Sequence, residues 1–325
     1  MKISLLIISI LIYSIAIAQI TEIEAKVRTK PAADSTIGWT KGGNIAFNLS
    51  QTNLTNWAGG GQNSMAINTL FNYTINYKNL KSSWDNSFDI GYGILRQGET
   101  KKFTKTDDKI DILSKYGRRA KNNLFYAAAL NFKTQMAPGF SAENDSVRIS
   151  NLLAPAYIIV SIGMDYKPFK SLSFFVAPFT SKTTIVNDQQ LANSGFFGVT
   201  PATYDADGIT IIKNGSKVRS EFGGYIRMIY TKNNFEKEYL KNVSITTKLD
   251  LFSNYLENPQ NIDVNWETLI AMKVNKYISL SISTHFFYDD DINVAIDKNK
   301  NGVLDERGPR LQYKQILGVG LSYKF

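Results

Sequence analysis

"YISLSISTHFFY", residues 277–288, puts Ile278, Leu280, Ile282, Thr284, Phe286 and Tyr288 on one side of an extended chain and Ser279, Ser281, Ser283 and His285 on the other. Alternation with period two over a whole stretch is the pattern of a strand with one apolar and one polar face. The same period runs through "MAINTLFNYTINY" (65–77) and "WDNSFDIGYGI" (84–94). It recurs near 43–50, 108–117, 123–136, 153–166, 171–183, 217–231, 242–256, 262–275 and 312–325. Many of these segments are about as long as a tilted strand must be to cross a bilayer, and about 12 of them predict an all-β fold.

A soluble sandwich alternates in the same way, but three features favour a transmembrane antiparallel β-barrel. Aromatics gather toward segment ends, at Tyr73, Tyr77, Trp84, Tyr116, Tyr166, Tyr230, Tyr255, Trp266, Tyr288 and Tyr323, as interfacial girdles require. The polar face carries charges that a dry core could not bury cheaply: Asp89, Lys133, Asp165, Arg219, Glu221, Arg227, Lys248, Asp250, Asp263, Glu267 and Lys273. Short turns alternate with longer connections, which predicts short periplasmic turns on one rim and long extracellular loops on the other.

The first residues predict export. Lys2 precedes an apolar run, and Ala16-Ile17-Ala18 before Gln19 reads as a signal-peptidase site. The expected organisation is a signal peptide at 1–18, a periplasmic segment at 19–38 and one barrel domain at 39–325. With no Cys, the chain has neither a disulfide scaffold nor thiol chemistry. The net charge of +9 does not describe a nucleic-acid groove, because the short turns hold the bases and the long loops hold the acids. The predicted surroundings are outer-membrane lipid and, through the alternating "ILGVGLSYKF" that ends at Phe325, the barrel assembly machinery.

"NWAGGGQNS", "KTDDKI", "NFKTQMAPGF", "APFTSKTTIVNDQQL", "KLDLFSNYLENPQNIDVNWE", "YDDDI" and "GPRLQYKQILGVGLSYKF" lie between about residues 39 and 325. With these blocks the chain resembles the family catalogued as domain of unknown function 3078. The resemblance implies an outer-membrane barrel of a Gram-negative bacterium with no established activity, and it carries no catalytic residue over.

Function must therefore be argued from residues. Inward Asp89, Lys133, Arg219, Glu221, Arg227, Lys248, Asp250 and Glu267 predict a charged lumen. The expected role is a narrow conduit for small solutes, the solute itself unknown; the alternative is a structural or interaction barrel plugged by its own side chains. A second alternative is a lipid hydrolase using His285, the sole histidine, with Ser283 or another wall serine, although the motif spacing of such enzymes is absent. The main expectation is no enzyme and no required cofactor. Trp57, in the Gly-rich first long connection, reads as an interfacial anchor.

In "DKNKNGVLDERG" (297–308), Asp297, Asn299, Asn301, Val303 and Asp305 fall at calcium-loop positions, with Gly302 at the sharp turn. Gly308 replaces the bidentate Glu of the full motif, so the expected affinity for Ca2+ is weak, of order 0.1–1 mM. A plain Asn-Gly turn is the other reading.

Overall fold

Every alternating segment is a strand of one closed antiparallel barrel in the computed structural model. The structure describes residues 37–324 apart from 55–61, 99–101, 142–145, 170, 234, 236, 274, 276–277 and 297–305. The expected leader and most of the periplasmic segment, with Trp57, the five calcium-loop residues and Phe325, lie outside the described residues.

The chain opens with β1 (Gly38–Thr52), β2 (Ser64–Lys78), β3 (Ser82–Gln97), β4 (Thr104–Lys121) and β5 (Leu124–Thr134). A loop hairpin, β6 (Gly139–Phe140) with β7 (Arg148–Ser150), precedes β8 (Ala156–Phe169) and β9 (Leu172–Ile185). The next loop holds the one-turn helix α1 (Gln189–Asn193) and a hairpin of β10 (Thr203–Tyr204) and β11 (Ile211–Lys213). Strands β12 (Val218–Asn233), β13 (Val243–Asn254), β14 (Ile262–Lys273) and β15 (Ile278–Tyr288) follow. The last long loop carries β16 (Asn293–Ile296) and β17 (Glu306–Pro309), and β18 (Gln312–Lys324) closes the wall. Around the barrel the order is β1-β18-β15-β14-β13-β12-β9-β8-β5-β4-β3-β2, so the wall has 12 strands. The closing seam is short: Asn44–Phe47 of β1 pair with Leu321–Lys324 of β18.

Register explains the two aromatic girdles. Trp39, Tyr77, Trp84 and Tyr116 are consecutive partners across β1 to β4 near the short-turn rim. Trp39 lies 5.2 Å from Tyr77 and 6.0 Å from Trp84 between ring centroids, and the Trp84 indole N–H donates to Ser114 Oγ. Near the long-loop rim Trp266, Phe286 and Tyr313 form a second row, with centroids 5.5 and 4.8 Å apart. Amphipathic rings at two levels fit the two faces of a bilayer. Tyr73 departs from the expected girdle: it sits mid-strand beside Phe71.

Of several register shifts in the wall, the one in β9 redirects side chains that line the lumen. Pro178, which has no N–H to donate, lies in a bulge of β9, where the registers against β8 and β12 both shift. Below it the inward residues are Ser173, Phe175 and Ala177; above it they are Thr180, Lys182 and Thr184. One extra residue exchanges the two faces.

Candidate functional site: the charged lumen and its capped mouth

The alternation of β12, β13 and β14 turns Arg219, Glu221, Tyr225 and Arg227, then Lys248, Asp250 and Phe252, then Asp263, Asn265 and Glu267 toward the interior. At mid-height Arg227 Nε lies 2.8 Å from Asp250 Oδ1, and Tyr225 donates its hydroxyl to the same carboxylate at 2.7 Å. Lys248 approaches Asp250 at 3.6 Å, and Glu267 is the register partner of both Lys248 and His285. Farther around the inner face, on β4 and β5, Lys133 lies 3.8 Å from Asp111, which also accepts from Asn131 at 2.6 Å. Asp89 accepts a hydrogen bond from Asn72. These are the positions of the eight charged residues assigned to the lumen from the sequence.

The structure adds two inward cations, Lys115 and Lys182, that are not among the polar-face charges expected from the sequence. Toward the short-turn rim, Lys115 lies 2.7 Å and Lys167 3.4 Å from Asp165, and Lys167 reaches Asp85 at 4.0 Å. Toward the long-loop rim, Lys182 contacts Asp263 at 2.9 Å and both Glu221 and Asp289 at 3.4 Å. Lys182 stands on β9 and Asp263 on β14, with β12 and β13 between them. Three strand spacings cover ~14 Å along the wall, so this contact cuts through the interior across a quarter of the 12-strand circle instead of following the sheet. Lys167 on β8 and Asp85 on β3 are separated in the same way.

An apolar patch lies inside as well. Phe175, Tyr225, Phe252, Ala127 and Ala177 form one buried cluster, with Phe175 and Tyr225 edge to face at 6.3 Å. These three rings, none of them among the girdle residues expected from the sequence, face the interior instead of the lipid.

The long loop between β9 and β12 folds over the mouth. Ala154, Val186, Leu191, Ala192 and Val199 bury one another, with Phe196 and Phe197 packed against them. Asp188 caps α1 by accepting from the Gln190 and Leu191 amides, and it takes an Arg148 contact at 2.7 Å and an Asn151 bond at 3.1 Å. Gly198 O accepts from Arg219 at 3.0 Å, so the loop touches the lumenal charges directly.

Burial alone would raise the Asp188 carboxyl, but hydrogen bonds from Arg148, Asn151 and the Leu191 amide, with the Arg148 charge, hold it below the usual carboxylate range. A carboxyl lowered by folding stabilises the cap fully above its unfolded value of about 3.9, and that contribution is lost as pH falls through the lower folded value. Hydrogen exchange of residues 188–199, corrected for intrinsic rates, is expected to be steady from pH 7 to 5 and to quicken below about pH 4. Asp188→Asn should abolish the pH response and speed exchange throughout. Unchanged corrected protection down to pH 2 in the native protein would refute this anchor.

His285 bonds through Nε2 to Asn265 Oδ1 and meets the Phe287 ring edge-on at 6.3 Å. The Ser283 side chain lies outside the described residues, so a Ser–His pair is not part of the described site. Among the described residues no three acidic, His or Cys side chains converge to hold a metal ion.

A closed antiparallel wall with two aromatic rows, a charged interior, short turns at one rim and long loops at the other is an outer-membrane β-barrel. Residues 49–140 match the model of the family described as "Protein of unknown function (DUF3078)", which confirms the family resemblance over that region. No curated protein matches the sequence. Among solved structures the chain is similar to an outer membrane channel from Pseudomonas putida F1, at 9% identity and TM-score 0.38, covering 91% of this chain and 98% of that one. It is also similar to the translocator domain of the autotransporter NalP from Neisseria meningitidis, at 8% identity and TM-score 0.37, covering 93% and 94%.

Proposed function

We propose that this barrel is a narrow conduit for small charged solutes, closed at rest by ion pairs that bridge its interior. The observation that carries the reading is the pair of cross-lumen contacts, Lys182 to Asp263 and Lys167 to Asp85, one toward each rim. Filling a lumen permanently does not call for charge. Each buried ion costs several kcal/mol to desolvate, and replacing a buried pair by packed apolar side chains is often neutral or stabilising. Charge in every layer suits an interior that exchanges between paired and hydrated states.

A second reading, a plugged structural barrel, draws its support from the Phe175, Tyr225 and Phe252 cluster, which salt cannot loosen. Planar-bilayer recording of the purified protein separates the two. The conduit is expected to show small discrete current steps that grow faster than bulk conductivity as salt screens the pairs. Silence at every voltage and salt concentration would leave the plug standing. Export through a cleaved leader and a weak Ca2+ site at Asp297 to Asp305 are further proposals. They rest on the sequence patterns alone.

A further inference from the structure

Beneath the loop cap, a solvent-open cleft is lined by Glu221, Glu257, Asp263, Asp290 and Asp291 together with Asn254, Asn258 and Asn261. Asp289 stands beside it, in contact with Lys182. Lys182 and Arg219 are the cations paired into this group, Arg219 at 2.6 Å from Asp291 and 3.3 Å from Glu257. The six carboxylates outnumber the two cations by four. A second observation is independent of that charge count. Glu221 is 4% exposed, and its Oε1 has no hydrogen-bond donor: the Arg219 guanidinium is 3.7 Å from that oxygen, and Lys182 lies 3.4 Å from the other carboxylate oxygen. A buried carboxylate oxygen without a donor is costly, and a ligand N–H would satisfy it.

The carboxylates are spread along the cleft and do not converge on a point, and among the described residues no group is built to ligate a metal. Dispersed acceptors suit a cation whose charges and donors are themselves dispersed. We infer that the cleft binds a small organic polycation bearing ammonium or guanidinium groups, which donates to Glu221 Oε1 and spans Asp263, Asp290 and Glu257. As the entrance to a conduit the site rests on the reading above; as a binding site it stands on the cleft alone.

Calorimetry on the full chain, folded in detergent, with spermidine as probe tests it. Saturable binding is expected, weakened at least tenfold by Glu221→Gln. Because Glu221 is buried, Glu257→Gln at the exposed edge serves as a second variant. It should weaken binding severalfold while keeping the gel mobility of the folded barrel. No binding, or binding that both variants leave unchanged, overturns the site. Tight Ca2+ binding lost in the same two variants, without spermidine binding, overturns the organic cation in favour of a metal. Spermidine binding by a protein that passes no current keeps the site and removes the conduit.

Discussion

Replacing Lys182 with methionine is expected to raise open-channel current severalfold and shift selectivity toward cations. Lys182 neutralises three carboxylates at once, Asp263, Glu221 and Asp289, and ties β9 to β14 across the interior. Without it the acids face one another. Removing one partner of a buried pair typically costs about 3–5 kcal/mol, because the remaining charge is left uncompensated. In a barrel with water at hand the acids relieve that cost by hydration, and hydration opens the bridge. The double variant Lys182→Met with Asp263→Asn removes the bridge with less excess charge, so it should conduct more than the native protein but discriminate less than the single variant. Reversal potentials in a salt gradient measure the difference. If native, single and double variants carry identical currents, the bridge is not a gate.

Gly223→Ala combined with Gly163→Ala is expected to block assembly of the barrel or lower its urea midpoint sharply. Both glycines face the crowded rows at the β9 bulge. A Cβ on Gly223 would stand 1.8 Å from Ser253 O, and one on Gly163 would stand 2.0 Å from Val176 O. Those neighbours are backbone and cannot rotate away. Overpacking of this kind costs about 1–3 kcal/mol per site, and at the bulge it would also disturb the parity that points Lys182 inward. Gly42→Ala is the control, since its nearest neighbour would be Thr74 Oγ1 at 3.9 Å. The readout is the mobility difference between unboiled and boiled samples, which a closed barrel shows and an unassembled chain does not. Native behaviour of the double glycine variant would show that the bulge adapts freely.

Much of the lumen is legible in the sequence because a strand assigns faces by parity. On β12 to β14 no bulge interrupts the run from Tyr225 to Glu267, so Arg227, Lys248, Asp250 and Glu267 can be placed inward by counting alone. On β9 the count fails. "FFVAPFTSK" offers a plausible alternation through Pro178, and only the observed registers show that the faces exchange there, hiding Phe175 and turning Lys182 into the lumen. The contact of Arg148 with Asp188 was equally out of reach, since it joins two loops that no period describes.

By itself, then, the sequence determined the class of wall. Period-two alternation, aromatic strand ends and loop lengths are local properties, each set within a few residues by backbone geometry and by the solvent a side chain meets. Which charge meets which was decided only by tertiary structure. Lys182 and Asp263 are 81 residues apart in the chain, and their meeting depends on closure of the wall, the order of its strands and one bulge. Contact across a closed interior is a property of the whole circle of strands, and no single segment contains it.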